Sequence, residues 1–339
     1  MINRQVVLER RPMGPIDETT TSVREGERPA CGPDQALVKV GLLSVDPTIR
    51  TWMNDAPGYL PPIGIGDVIR SYGAGVVVES SSPRFNVGDV VVGMTGWQEW
   101  VVADDRFNVV PEGLGVDLAT MMNVLGSTGM TAYFGLLDVG HMSAGDVVVV
   151  SGAAGATGSV VGQIARARDA KKVVGIAGGA DKCAYVVERL GFDECLDYRE
   201  PGLSKRLHQA CPDGVNLYFD NVGGEVLDAA LANLAMRGRI VVCGAIAHYN
   251  EAERTTGVKN TSMLIVRRGS MKGFLILDYA ARYAEAQREL AGMLQRGELV
   301  HDEFVVEGLE NAPRALNLLF SGANRGKTLV VLDPSVQLR

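Results

Sequence analysis

Through residue 122 the chain alternates short valine-rich runs with turns built from glycine and proline. The runs include ALVKV at 36–40, GVVVES at 75–80 and DVVVGM at 89–94, and the turns include GERPACGPD at 26–34, APGYLPPIGIGD at 56–67 and RFNVGD at 84–89. Short strands separated by regular turns predict a β-rich, barrel-like domain. From about residue 123 the pattern changes to apolar strands alternating with helix-period segments. A helix over 127–140 precedes a strand at 147–150, followed by a strand at 171–177, a helix at 181–191, a strand at 215–220, a helix at 225–234 and a strand at 238–246. That alternation predicts a doubly wound parallel sheet, hence an α/β fold. Strand-like runs at 302–308 and 326–333 flank one more helix, and no internal repeat or low-complexity segment is present.

Residues 147 to 165, VVVVSGAAGATGSVVGQIA, contain no charge and are closed by Asp146 and Arg166. A run of this length is long enough to span a membrane, and Gly158 and Gly162 have the spacing of packed membrane helices. The polar Ser151, Thr157, Ser159 and Gln163 and the glycines at 152, 155, 158 and 162 argue against that reading. Four β-branched valines also prefer a strand, because branching at Cβ stiffens χ1. The run therefore divides into a buried strand, Val147–Val150, and a helix over Ser159–Ala167. Between them lies an A-x-G-x-x-G turn. Gly155 there lets the backbone approach a pyrophosphate, Gly158 lets the helix press on its strand, and the helix N-terminus, with Ala156 and Thr157, faces the phosphates. In a doubly wound sheet the ligand lies beyond the carboxyl ends of the strands. Those ends are Ser151–Thr157, Ala177–Lys182, Asp220–Gly224 and Cys243–Tyr249, all rich in small or polar residues.

About 20 residues past the glycines, an NAD-binding chain places an acid on the ribose 2′-hydroxyl. Here that position reads IAGGADK, with Gly178 and Gly179 at the strand end, Asp181 as a helix-starting residue and Lys182 just beyond. A cation without a carboxylate favours the 2′-phosphate of NADP. The chain has 339 residues, 46% hydrophobic and 22% charged, with a net charge of −7 and no basic run longer than a pair. Those values suit a globular protein of two domains and exclude a nucleic-acid partner. Met1–Arg11 alternates apolar and charged residues without a long apolar core, so a cytoplasmic location is expected, with no membrane association. The five cysteines (31, 183, 195, 211 and 243) match no disulfide framework or C-x-x-C pair, and the four histidines are scattered. Free, mostly buried thiols and no bound metal are expected.

The chain resembles the medium-chain dehydrogenase/reductases, and within them the zinc-independent group of prostaglandin/leukotriene reductases, plant alkenal double-bond reductases and curcumin-reductase-like proteins. The resemblance covers nearly the whole chain. It rests on SVDPTIR (44–50), GMTAYFGLL (129–137), GAAGATGSVVGQIA (152–165), LGFDECLDYR (190–199), YFDNVGGE (218–225), RIVVCGAIAHYN (239–250), MKGFLI (271–276) and NRGKTLVVL (324–332). It implies a GroES-like, β-rich catalytic domain from residues 1–122 and 298–339, with a Rossmann cofactor domain at 123–297 inserted between. It implies that Gly155–Gly158 hold the pyrophosphate of NADPH, and that Lys182 holds the 2′-phosphate with help from Tyr198. It further implies that Asn221 sits near the cofactor, and that Cys243, Gly244, Ala245, Ile246, Ala247, His248 and Tyr249 line the ribose and nicotinamide beside Phe274, Leu275 and Ile276. Asn324 would close over the cofactor. The zinc-dependent relatives carry a Cys near the start of the first motif and a G-H-E soon after, where this chain has Ser44 and Gly66-Asp67.

The resemblance implies reduction of a C=C bond conjugated to a ketone or aldehyde, with hydride passing to the β carbon and negative charge developing on the carbonyl oxygen. Such a site needs close positioning and a donor aimed at that oxygen, and Tyr249 is the catalytic candidate, with His248 as a weaker one. The family usually writes SVDPYMR, and Thr48 replaces its tyrosine. Trp52 and Tyr59 follow closely and are candidates for the substrate pocket with Thr48, although a core role suits both equally. Arg50 is expected to be structural and paired with a carboxylate. The expected substrate is a small enone, enal or quinone, and the family suggests a homodimer. The competing readings are an NADPH-dependent quinone reductase, a zinc-independent carbonyl reductase and a non-catalytic NADPH-binding scaffold.

Overall fold

The computed structural model describes residues 1–111, 116–251 and 257–336. The chain forms two compact units, one comprising Met1–Met122, Tyr249–Ala252 and Glu303–Arg339, the other Asn123–His248 and Glu253–Asp302. In the first, β1 (Ile2–Leu8) and β2 (Thr21–Glu27) make an antiparallel hairpin. Antiparallel pairing then joins β3 (Ala36–Val45) to β4 (Gly73–Ser80) and β6 (Trp100–Ala103), and β5 (Val90–Gly93) to β4 and β7 (Asn108–Val109). β3 buries nine of its ten residues, which is why its sequence reads as nearly continuous apolar rather than alternating. Leu43, Ile49, Trp52, Met53 and Trp97 share one core with Leu309, Ala312 and Leu316 of the C-terminal segment.

The second unit contains the expected parallel sheet. Its strands are β8 (Val147–Ser151), β9 (Lys172–Ala177), β10 (Glu194–Asp197), β11 (Val215–Asp220), β12 (Leu234–Val242) and β13 (Ser270–Gly273), in the spatial order β10-β9-β8-β11-β12-β13. From β8 the chain builds outward through β9 and β10, then returns to the other side of β8 to build β11, β12 and β13. The reversal between β8 and β11 is the switch point at which such sheets hold ligands. All five residues of β8 are buried, so the uncharged run opens with a core strand. Among the described residues no helix is long and apolar enough to cross a membrane. The last strands, β14 (Glu303–Glu307) and β15 (Lys327–Val331), run parallel, and β15 pairs antiparallel with β3 of the first unit.

Several element boundaries differ from the sequence expectation. The helix expected from Ser159 begins at Ala156, because Gly155 is extended and already accepts the Ser159 N–H at 3.0 Å. The strand expected at 238–246 ends at Val242, because the Cys243 and Gly244 N–H groups donate to the Asp220 carbonyl (2.8 and 3.0 Å) instead of continuing the ladder. The helix expected over 127–140 is α-helical only through Phe134 and then widens into a π turn, Gly135–Val139, where a Cβ on Gly135 would meet Phe219 and Phe274 at 2.7 Å. Among the described residues Arg50 has no carboxylate partner. It donates to the carbonyls of Gly14 and Pro12 (both 3.0 Å) and to Asn54 Oδ1 (2.5 Å), closing off the irregular 12–14 segment from inside. All five thiols are free, but only Cys211 is fully buried.

Candidate active site

The carboxyl end of β8 turns through Gly152, at φ +61, into the helix Ala156–Ala167. A Cβ on Gly158 would lie 2.3 Å from the Gly152 carbonyl oxygen, so only glycine lets the first helical turn sit this close to the strand end. A Cβ on Gly155 would meet only the Gly152 oxygen at 3.2 Å, so this side of the turn is an open backbone surface. The first N–H groups of a helix are directed outward from its end and carry partial positive charge. A glycine-walled turn feeding such an end suits a dinucleotide pyrophosphate.

Across the switch point, Asp220 at the end of β11 is completely buried. Its Oδ1 accepts from the Tyr218 hydroxyl (2.8 Å), the Ser151 hydroxyl (3.2 Å) and the N–H groups of Val222 (3.1 Å) and Gly223 (2.9 Å). Asn221 donates from its backbone to Ser151 Oγ (2.9 Å) and from Nδ2 to the Ser151 carbonyl (2.7 Å). Asn221 thus ties the ends of β8 and β11 together, and Asp220 shapes the turn that carries it. The Ala247 N–H donates to the Val222 carbonyl (3.1 Å), and the His248 ring lies against Gly224, whose added Cβ would be 3.6 Å from Nε2. Asn221 and the 243–248 loop are therefore brought together. At the start of that loop, desolvation of the sulfur pushes the Cys243 thiol up to about 12, reinforced by Asp220. Phe274 packs inward against Gly135 and edge-on to Tyr279 (6.3 Å), leaving Leu275 as the exposed member of its group.

Burial raises the Asp220 pKa above its ordinary 3.8, although four donors partly oppose the shift. A carboxyl whose folded pKa is raised contributes stability below the unfolded value and loses it as pH rises through the folded value. Asp220→Ala removes the acceptor shared by four donors, leaving the Ser151 hydroxyl only the Phe219 carbonyl (3.4 Å), and is expected to cost about 3 kcal/mol in chemical denaturation. Asp220→Asn, which retains an acceptor oxygen, is expected to cost less and to remove this residue's loss of stability at rising pH. Equal, pH-independent losses in the two variants would contradict this role.

At the next strand end, β9 runs into Gly178–Gly179, followed by the helix Ala180–Glu188 with half-buried Lys182 in its first turn. A Cβ on Gly178 would stand 2.8 Å from the Tyr198 ring, so Tyr198 lies directly on this glycine. The structure thus gathers Gly178, Gly179, Lys182 and Tyr198 at one corner of the sheet.

In the first unit, Thr48 Oγ1 and the Tyr59 hydroxyl share a 2.6 Å hydrogen bond. Trp52 is a core residue, 7% exposed, whose ring meets Tyr59 edge-on with centroids 6.1 Å apart. Tyr59 is 45% exposed, and partial burial raises its pKa. Tyr72 stands near enough to couple electrostatically to Tyr59, and burial raises its pKa too. Tyr249 belongs to this unit, directly after the 3-10 turn Ile246–His248 of the other. Asn324 is buried, with Nδ2 on the Gly326 carbonyl at 3.5 Å.

Two family models match this chain, one described as the N-terminal domain of oxidoreductase over residues 4–110 and one as zinc-binding dehydrogenase over 156–292. The chain is 38% identical to the NADPH-dependent curcumin reductase of Escherichia coli, over 97% of this chain and 96% of that one. It is 39% identical to the NADP(+)-dependent 2-alkenal reductase of Nicotiana tabacum, over 98% of both. The crystal structure of CurA in complex with NADPH from Vibrio vulnificus matches with a TM-score of 0.93 at 36% identity, covering 97% of this chain and 99% of that one. The chain belongs to the medium-chain dehydrogenase/reductase family. Within that family it groups with the curcumin, alkenal and prostaglandin reductases.

The positions at which zinc-dependent family members hold their metal have a different use here. The Ser44 hydroxyl, 2% exposed, donates to Asp46 Oδ2 at 2.5 Å, and Asp46 is also ion-paired with the buried ammonium of Lys327. Among the described residues, no group of three or more His, Cys, Asp or Glu side chains comes together to hold a metal ion.

Proposed function

We propose that this protein is an NADPH-dependent oxidoreductase that reduces the C=C bond of α,β-unsaturated ketones and aldehydes. The reading is carried by one coincidence: the glycine-walled, lysine-bearing edge of the parallel sheet occurs in a chain that aligns over nearly its full length with curcumin and alkenal reductases. When bound, NADPH supplies a hydride to the β carbon of the enone. Gly155–Gly158 and the helix behind them hold the pyrophosphate, while Lys182 and Tyr198 hold the 2′-phosphate. Asn221, Cys243–His248 and Phe274–Ile276 would contact the ribose and nicotinamide of the bound cofactor, and Asn324 is a further residue that would hold it. Tyr249 donates its hydroxyl proton as a hydrogen bond to the substrate carbonyl oxygen, where negative charge grows as the β carbon is reduced. Thr48 and Tyr59 present a hydrogen-bonded hydroxyl pair to the substrate, with Trp52 setting the position of the Tyr59 ring.

The protein acts as a homodimer in this reading. β13 is an edge strand with all four residues exposed, and Ile265, Val266, Met271, Leu275 and Leu277 on and around it are exposed apolar side chains. Unpaired strand edges of this kind are templates for pairing with a second copy.

Following NADPH oxidation against a panel of enones, enals and quinones tests the proposal. Enones or enals are expected to be the best substrates by kcat/KM. A preference for quinones, or no turnover of any enone or enal, would overturn it.

A further inference from the structure

Lys182 and Tyr198 are not the whole of the corner beyond β9. β10 lies parallel to β9 with Asp197 opposite Ala177, and the Tyr198 N–H donates to the Ala177 carbonyl at 3.0 Å. The chain after β10 therefore runs on alongside Gly178 and Gly179. Gly179 has φ +94, and a Cβ built on it would lie 3.4 Å from Arg199 Nη1. The guanidinium is thus laid over the Gly179 turn, next to the ring of Tyr198 on Gly178 and at the start of the helix that carries Lys182.

Asp197 holds this arrangement. Its Oδ1 accepts the Arg199 N–H at 2.9 Å, and the Gly179 N–H stands near enough to favour its charged form, so one side chain lies between the two turns. Partial burial pushes the Asp197 carboxyl up, but the neighbouring Gly179 and Arg199 N–H groups and the charges of Arg199 and Arg206 outweigh it and keep the group below its ordinary range. Asp197 acts here as a strut for the corner rather than as an acceptor for a ribose hydroxyl.

We propose that Arg199 is the second cation of the 2′-phosphate site and a determinant of the preference for NADPH over NADH. The chemistry of the two cations differs. An ammonium is a point charge on a flexible stem, whereas a guanidinium is a planar fork that meets two phosphate oxygens at once. With Lys182 on the helix side and Arg199 on the β10 side, a phosphate on the adenosine ribose is held from two directions. The inference rests on the reading that this corner receives the 2′-phosphate.

Equilibrium titration of the full-length protein with NADPH, NADH and 2′-phospho-AMP, read by intrinsic tryptophan fluorescence or calorimetry, tests it without reference to turnover. Arg199→Ala is expected to weaken NADPH and 2′-phospho-AMP by about tenfold, the lower end for a charge-assisted contact because Arg199 is exposed. NADH affinity is expected to stay within about twofold. Arg199→Lys is expected to restore the loss only in part, since the charge returns without the fork. Equal weakening of NADPH and NADH by Arg199→Ala would overturn the inference in favour of a structural role. So would unchanged NADPH binding in Arg199→Ala while Lys182→Ala loses selectivity, an outcome that leaves the corner itself intact. A wild-type protein that binds NADPH and NADH equally would overturn the reading of the corner and this inference with it.

Discussion

Tyr249→Phe is expected to bind NADPH with unchanged affinity and to turn over an enone about 10²–10³ times more slowly. The magnitude follows from what the hydroxyl does. Reduction of the β carbon moves negative charge onto the carbonyl oxygen, and removing one donor preorganised toward such an oxygen costs roughly 2.7–4 kcal/mol. The substitution deletes a single oxygen from a half-buried side chain and leaves the ring, so packing is retained. The loss should fall on kcat and on kcat/KM alike, because the interaction strengthens only as charge develops. Single-turnover kinetics of hydride transfer, followed at 340 nm, separate this step from product release. A variant with unchanged hydride-transfer rate would reduce Tyr249 to a packing residue.

Lys182→Ala carries the largest effect expected on cofactor choice. The wild type is expected to prefer NADPH to NADH, and the substitution to remove about 1.5–3 kcal/mol of that preference, on the order of 10- to 150-fold in affinity. Lys182 is half-buried in the first turn of its helix, so solvent screens it less than it does Arg199. NADH carries no 2′-phosphate, and its affinity is expected to change little. Equal loss for both cofactors, or no selectivity in the wild type, would contradict the assignment.

The parallel sheet could be read from the sequence because its central strands are buried on both faces. Val147–Val150 can hardly be anything else once four glycines follow. The strands at the two edges were not readable for the same reason reversed. β10 is ECLD and β13 is SMKG, four residues each with no apolar period, and β13 is exposed throughout. The glycine turn was legible because a close approach of backbone to backbone demands glycine, and the 2.3 Å separation at Gly158 is that demand in physical form. The role of Asp220 was not, since one of its donors, Ser151, lies 69 residues away. Arg50 was misread because a buried guanidinium is satisfied as well by carbonyl oxygens as by a carboxylate, and residue type does not tell the two apart. Nor does spacing announce the Thr48–Tyr59 hydroxyl pair, whose partners lie 11 residues apart across a short helix, Thr48–Trp52, and the irregular chain after it.

The central claim is that the C=C bond, not the C=O bond, receives the hydride. Reaction of a simple enone with NADPH carrying deuterium at both positions of nicotinamide C4, with the product analysed by mass spectrometry and NMR, tests it directly. The label on both faces makes the result independent of which hydrogen is transferred. The account predicts the saturated ketone with one deuterium on the β carbon. An allylic alcohol bearing the deuterium on the carbinol carbon would contradict it.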